Sequence, residues 1–165
     1  MKPVRTHTCG ALDKSHVSQT VLLTGWVAKR RDHGGVIFFD LRDRYGLTQV
    51  VIDPSHQAAH EAASNVRQEY VIAVKGTVRA RPDGMQNTKL STGAIEVAVE
   101  ELKVLSVSKP LPFPLDEEGT VSETLRLKYR YLDLRRGNLQ RNLITRHKVM
   151  QVVRRFLDEN QFLEI

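Results

Sequence analysis

The apolar and polar positions of this chain change their period along its length. From Val21 to about Val107 the pattern has period two, with five runs at approximately 21–31, 36–43, 47–52, 70–81 and 94–107. Each run is rich in Val, Ile, Leu or aromatic residues, and Gly, Pro, Asn or Asp separate them, which predicts five half-buried strands. Between the third and fourth runs, "DPSHQAAHEAASNVRQE" opens with Asp53-Pro54 and continues Ala-rich with Glu and Gln, which predicts a helix. The order is therefore β-β-β-α-β-β.

A mainly β protein with five strands and one helix between the third and fourth has the pattern of an OB-fold barrel, which takes ligands on its strand 2–3 face and in the L12 and L45 loops. After Ser108 the character changes: "KPLPFPLDEEG" sets Pro110, Pro112 and Pro114 at alternate positions, which enforces an extended connection. Thr120 and Glu123 form a capping-box pair that opens a helix through "ETLRLKYRYLDLRR". A second, longer helix over about 139–159 carries Leu139, Leu143, Met150, Val153 and Leu157 at helical spacing, widened by Val149, Val152 and Phe156. The expected organisation is a barrel over 1–108, a Pro-rich linker and hinge helix over 109–136, and over 137–165 the first helix of a further domain. So broad an apolar face needs cover, and "NQFLEI" reads as the entry to a strand, so a downstream domain is expected.

Composition sharpens this picture in two ways. The 165 residues carry a formal net charge of +6 at 41% hydrophobic content, and the isoelectric point is about 9.7. The chain can bury a core, and the charge favours a polyanionic partner. With Cys9 as the single cysteine there is no disulfide framework, and neither a signal-peptide core nor a run of membrane-spanning length is found, so a cytoplasmic protein without membrane contact is expected. The six histidines lack metal-ligand spacing; His56 and His60 form an i, i+4 pair that reads as a solvated helix face.

The candidate chemistry lies on the polar face of the predicted barrel. In "GGVIFFDLRDRYG", Ile37, Phe39 and Leu41 share the apolar face, which leaves Phe38 beside Asp40 and Arg42. An exposed aromatic there is a stacking platform for an unpaired base, worth about 1–3 kcal/mol per base. In the fourth run Ile72, Val74, Gly76, Val78 and Ala80 form the core side, and Ala73, Lys75, Thr77, Arg79 and Arg81 the other, which presents a basic row. Glu96 falls on the polar side of the fifth run. A carboxylate repels phosphate and accepts hydrogen bonds from bases, so it points to base reading. Gln49, with a donor and an acceptor, suits a pyrimidine edge.

The blocks "GWVAKRRDHGGVIFFDLRDRYGLTQVV", "VKGTVRARP", "TGAIEV", "PLPFPLDE" and "LRLKYRYLDLRR" closely resemble the N-terminal region of bacterial aspartyl-tRNA synthetases, over nearly the whole chain. The first block is shared with the lysyl and asparaginyl relatives; "LKYRYLDLRR" is the more specific. The resemblance implies an anticodon-binding barrel, a hinge, and the start of a class II catalytic domain. It implies that Phe38 stacks on the central anticodon base, that Gln49 reads that uridine, and that Arg31, Arg79, Arg81 and Glu96 contact the bases or adjacent backbone. It also implies an aspartate-tRNA ligase that uses ATP and Mg²⁺ as a homodimer, with the motifs for ATP and aspartate beyond Ile165. "RDHGG", with His33 in the L12 loop, looks like the relaxed-specificity relatives that charge tRNA(Asn) as well as tRNA(Asp). The L45 loop, "PDGMQNTKLSTG", has Gly84 and Met85 where some discriminating members have asparagine. Two other readings stand beside this one: a free-standing single-stranded nucleic-acid-binding module, and an asparaginyl synthetase N-terminal region, which "LKYRYLDLRR" disfavours.

Overall fold

The computed structural model describes residues 4–116 and 121–165. Two compact units divide the chain, one up to Pro110 and one from Leu111 onward. The first contains β1 (Thr20–His33), β2 (Val36–Arg42), β3 (Leu47–Ile52), α1 (Gln57–Ser64), β4 (Val71–Ala80) and β5 (Ile95–Ser106), closed into a barrel in the order β1-β2-β3-β5-β4. Closure depends on β1. Its first half pairs with β4, from Thr20 opposite Thr77 to Trp26 opposite Val71, and its second half pairs with β2, with a bulge between Val27 and Lys29. A bulge bends a strand and sharpens its twist, so one strand can serve two neighbours. The last seam is short and parallel, with Val50 opposite Val97 and Val51 opposite Ala98.

Alternation governs what is buried. Ile37, Phe39 and Leu41 are at most 1% exposed and join Val50, Ile52, Ile72, Val74, Val78, Ile95 and Val97 in one core. Cys9 and Leu12 enter the same core. The segment that carries them is tied to the β2–β3 turn, where the Cys9 N–H donates to Asp43 Oδ2 (2.9 Å) and the Thr48 hydroxyl donates to the Cys9 carbonyl. Burial, with the nearby Asp43 carboxylate, pushes the Cys9 thiol up to about 12, so it packs as an inert hydrophobe.

Several expected boundaries shift. β1 continues through His33, so this residue ends a strand and does not lie in a loop; the L12 connection is Gly34-Gly35 alone, with φ of +62° and +86°. A two-residue hairpin turn with both φ positive is the one whose twist matches its strands, and glycine adopts it without strain. The helix between β3 and β4 has eight residues and starts at Gln57, because the Asp53 side chain accepts from the Ser55 N–H (2.9 Å) and holds a turn ahead of it. β4 ends at Ala80, ahead of Pro82, which cannot donate to a ladder. There the alternation breaks: Ala80 is exposed, while Arg81 and Ala73 are buried.

In the second unit the Pro-rich segment does more than connect. Its alternation places Leu111, Phe113 and Leu115 together, and they pack with Val121, Leu125, Tyr129 and Leu132 in a small core of their own. The expected hinge helix is two pieces, α2 (Glu123–Lys128) and α3 (Arg130–Asp133), broken at Tyr129 with φ −113° and ψ 45°. Ser122 caps α2 by accepting from the Leu125 N–H; Thr120, the expected cap, lies outside the described residues. α4 (Gly137–Glu159) is one continuous helix with no buried residue, and its stripe includes Val149, Val152 and Phe156, each more than half exposed. Residues 162–165 have no ladder partner and form no strand.

Candidate nucleic-acid interface

Each of the five strands contributes one polar side chain to a continuous chain of hydrogen bonds on the outer face of the barrel. Asp40 on β2 accepts both arms of the Arg31 guanidinium from β1, at 2.6 and 2.9 Å. Arg31 Nη2 also donates to Gln49 Oε1 on β3 (3.2 Å), and Gln49 Nε2 donates to Glu96 Oε2 on β5 (2.9 Å). Glu96 Oε1 in turn accepts from Arg79 Nε on β4 (2.8 Å). The register explains why they meet: Asp40 stands opposite Gln49 and Arg79 opposite Glu96, and directly opposed residues share a face.

The carboxylates of this chain are the buried members, with Asp40 8% and Glu96 4% exposed, whereas their arginine partners are more open. The hydrogen bond and charge of Asp40 raise Arg31 above its ordinary value despite partial burial, so its cation is fixed. Arg81 differs from the other arginines. Its guanidinium is buried, Nε donates to the Ile95 carbonyl (3.0 Å), and Nη2 has no hydrogen-bond partner. Desolvation lowers Arg81 below its ordinary value, opposed by the charges of Glu96 and Asp40.

Phe38 stands opposite Arg31 and opposite Val51 on the neighbouring strands, on the same face as the network. Its ring is half-buried and meets His33 edge-on, with centroids 5.8 Å apart. Val51 beneath it is 3% exposed without belonging to the barrel core. The result is an apolar step with one aromatic face beside a polar row, a surface suited to a stacked and hydrogen-bonded base. The basic row expected on β4 is largely neutralised away from this centre, since Lys75 pairs with Glu101 (2.6 Å) and Thr77 bonds Glu100 (2.8 Å).

The two flanking loops are ordered by their own hydrogen bonds. Over 81–94, the Asn87 N–H donates to the Gly93 carbonyl (3.0 Å) and the Thr92 hydroxyl ties the loop to Leu47 (2.5 Å), leaving Met85 70% exposed at its tip. At the hairpin, His60 Nε2 lies 2.6 Å from the Gly35 carbonyl, so this histidine braces the L12 tip and is not merely solvated. Neither that brace nor the bidentate role of Asp40 carries a local sequence signal, because both depend on tertiary placement. Among the described residues no three His, Cys, Asp or Glu side chains cluster as metal ligands would.

A closed five-stranded barrel with one helix after its third strand is an OB-fold barrel, a class that takes oligonucleotides or oligosaccharides on this face. Residues 21–105 match the family model for the OB-fold nucleic acid binding domain, and the chain belongs to that family. Residues 122–165 match the model for class II tRNA synthetases of the D, K and N type. The chain is 57% identical over 162 residues to an aspartate–tRNA(Asp/Asn) ligase of Desulfotalea psychrophila and 56% identical to one of Desulfatibacillum aliphaticivorans, covering 98% of this chain in both cases. It spans 27% of the length of each of these relatives. Among solved structures, a putative aspartyl-tRNA synthetase from Leishmania major superimposes with a TM-score of 0.85 at 26% identity, over 100% of this chain and 35% of that one. Asparaginyl-tRNA synthetase from Pyrococcus horikoshii gives 0.81 at 25% identity, over 99% and 36%. No helix among the described residues is long and apolar enough to cross a membrane.

Proposed function

We propose that this chain is the anticodon-reading region of an aspartate-tRNA ligase and that its barrel face binds the anticodon arm of tRNA(Asp), and of tRNA(Asn) as well. The observation that carries this reading is the network from Asp40 to Arg79, which brings a stacking ring, a glutamine amide and a buried acid onto one face. The names of the ligases it resembles, with their Asp/Asn designation, support the paired tRNA specificity. In this reading Phe38 stacks on a base, Gln49 reads a pyrimidine edge, Arg31, Arg79 and Glu96 hold the reader, and His33 lines the rim. Arg81 supplies positive potential. The full-length protein would be a cytoplasmic homodimer that uses ATP and Mg²⁺ outside this region.

Titration of the chain with fluorescent stem-loops tests the reading. The aspartate anticodon stem-loop is expected to bind more tightly than one with a scrambled loop, and both should weaken as salt rises, because phosphate contacts release counterions. Equal binding of the two stem-loops would overturn base reading. ATP–pyrophosphate exchange by the 165-residue chain alone would overturn the assignment of catalysis to another region.

A further inference from the structure

We propose that the cavity between the β1–β2 hairpin and the α1–β4 loop is a phosphate site, which takes the sugar–phosphate backbone of the bound RNA where it runs off the edge of the reading face. This rests on the reading above, in which the barrel face binds an anticodon arm. The cavity measures about 380 Å³ and is lined by Arg30, Ser64, Asn65, Val66, Arg67 and Gln68. Two guanidinium groups and two side-chain amides can donate into it, and no carboxylate lines it.

Its place follows from where the sheet ends. β1 pairs with β4 only as far as Trp26, opposite Val71; the Glu69 N–H then donates to the Val27 carbonyl (2.7 Å) and the Val27 N–H to the Tyr70 carbonyl (3.0 Å). From Lys29 to His33 β1 keeps β2 on one side, and among the described residues no strand covers the other. Arg31 on this stretch belongs to the reading row, whereas Arg30 beside it points to the opposite face and into the cavity. Consecutive arginines thus serve the two sides of one free edge. From Gln49 on β3 through Phe38 on β2 to Arg31 on β1, the reading face leads to that edge.

The loop is a rigid mount for the second cation. Val66 is 1% exposed in the barrel core, and Glu69 is buried with its two carboxylate oxygens on Arg42 Nη2, at 2.7 and 2.8 Å. Glu69 has φ of +62°, which a non-glycine residue keeps only where its surroundings fix it. Its acid is consumed inside the protein. Between these two anchors Arg67 and Gln68 are exposed, and the Arg67 guanidinium has no hydrogen bond or ion pair among the described residues. Arg30 meets Asp32 at 3.7 Å, beyond hydrogen-bond length. Arg31, by contrast, is spent on Asp40 and Gln49. Arginine forks match phosphate oxygens in pairs, so a phosphodiester is the group of a bound RNA that this cavity suits.

The test uses stem-loop RNA with the full chain and its Arg67→Gln and Arg30→Gln variants. Losing a phosphate contact should weaken the aspartate and scrambled loops by the same factor, about three- to tenfold. The slope of log affinity against log salt should become shallower by about 0.7. Replacing RNA phosphates one at a time by uncharged methylphosphonate identifies the partner: at one or two adjacent positions the change should weaken binding to the unchanged chain and leave Arg67→Gln unaffected. A residue that merely supports the fold would lower affinity without removing that dependence. Arg30→Gln gives the same comparison should Arg67→Gln melt early.

NMR of the unchanged chain supplies a readout that needs no variant. The Arg67 Nε–H signal should shift when the aspartate stem-loop is added, and an unmoved signal overturns the site. A methylphosphonate profile identical in all three proteins, or an unaltered salt slope, also overturns it, with base reading by the barrel still standing. Equal binding of the two loops with the methylphosphonate dependence intact would instead overturn base reading and support the phosphate site. No measurable binding of either loop overturns both.

Discussion

Arginine–carboxylate constellations occur in both units of this chain, and they are built for opposite ends. In the second unit Asp133 is fully buried and accepts from Arg126 (3.0 Å) and Arg130 (2.5 Å), with Arg136 at 3.7 Å. Three cations on one carboxylate saturate it, and α2 and α3 are pinned together around it. Burial by itself would push the Asp133 carboxyl up, but the hydrogen bond and charge of Arg126, with Arg130, outweigh it and hold it below its ordinary value. On the barrel face the same residue types are strung out across five strands, and an amide with spare capacity sits between them. A closed knot stabilises; an open string with unused donors and acceptors can recognise. The distinction lies in stoichiometry and burial, since the residue types are shared.

The largest expected effect tests the framework on which the string is mounted. Ile37→Ala, in the core, should destabilise the barrel by about 2–5 kcal/mol in a denaturant melt. Phe38→Ala, one residue away on the other face, should leave the melt nearly unchanged. Early melting of both variants would erase the distinction between core and reading face.

The knot is probed by Asp133→Asn, which should lower the melting temperature at neutral pH by less than Ile37→Ala does, with RNA binding by the barrel unaffected. Because the folded carboxyl lies below its ordinary value, its contribution is fully present above the unfolded aspartate value of about 3.9 and is lost as pH falls through the folded one. The asparagine variant should therefore lack this part of the acid destabilisation. Parallel loss of stability below about pH 4 in both proteins would show that Asp133 does not hold the knot.

Smaller effects belong to the string. Phe38→Ala should weaken stem-loop binding by about 1–3 kcal/mol. Smallest is the effect of His33→Leu. The unchanged chain is expected to bind aspartate and asparagine stem-loops within about tenfold, or 1.4 kcal/mol, of each other. A neutral imidazole offers a donor and an acceptor and so tolerates either third base. Leucine should widen the gap in favour of the aspartate stem-loop, and an unchanged ratio would move third-base specificity to the 81–94 loop.

Sequence pattern revealed the barrel because alternate positions such as Val21, Leu23, Ile37, Phe39, Leu41, Val50, Ile52, Ile72, Val74 and Val78 all point into one core. It missed Cys9 and Leu12, which reach the core from a segment with no period at all. Arg81 seemed to belong to an outward row, and the end of β4 turned it inward. In "KPLPFPL" the prolines signalled a connector, and the alternation that marked it also gathers Leu111, Phe113 and Leu115 on one side. That Phe38, Gln49, Arg79 and Glu96 share the polar face was legible in the alternation, and the hydrogen bonds that join the row were not. Alternation gives a face, whereas a hydrogen-bond chain across β1, β2, β3, β5 and β4 also needs the strand order.

The short β3–β5 seam bears on folding order. The β1-β2-β3 meander and the β4-β5 hairpin are each made of neighbours in sequence, whereas Gln49 and Glu96 are 47 residues apart. Such a pairing carries a large loop-closure entropy, and the neighbours in sequence carry little. Arg31, Asp40 and Gln49 can therefore assemble within one half of the barrel, and Arg79 with Glu96 in the other. The two halves meet at the β1–β4 seam and at the short seam where Val50 and Val51 face Val97 and Ala98, and it is beside the latter that Gln49 reaches Glu96. Until that seam forms, the five side chains stand as two separate clusters; closure is what makes them one chain of hydrogen bonds.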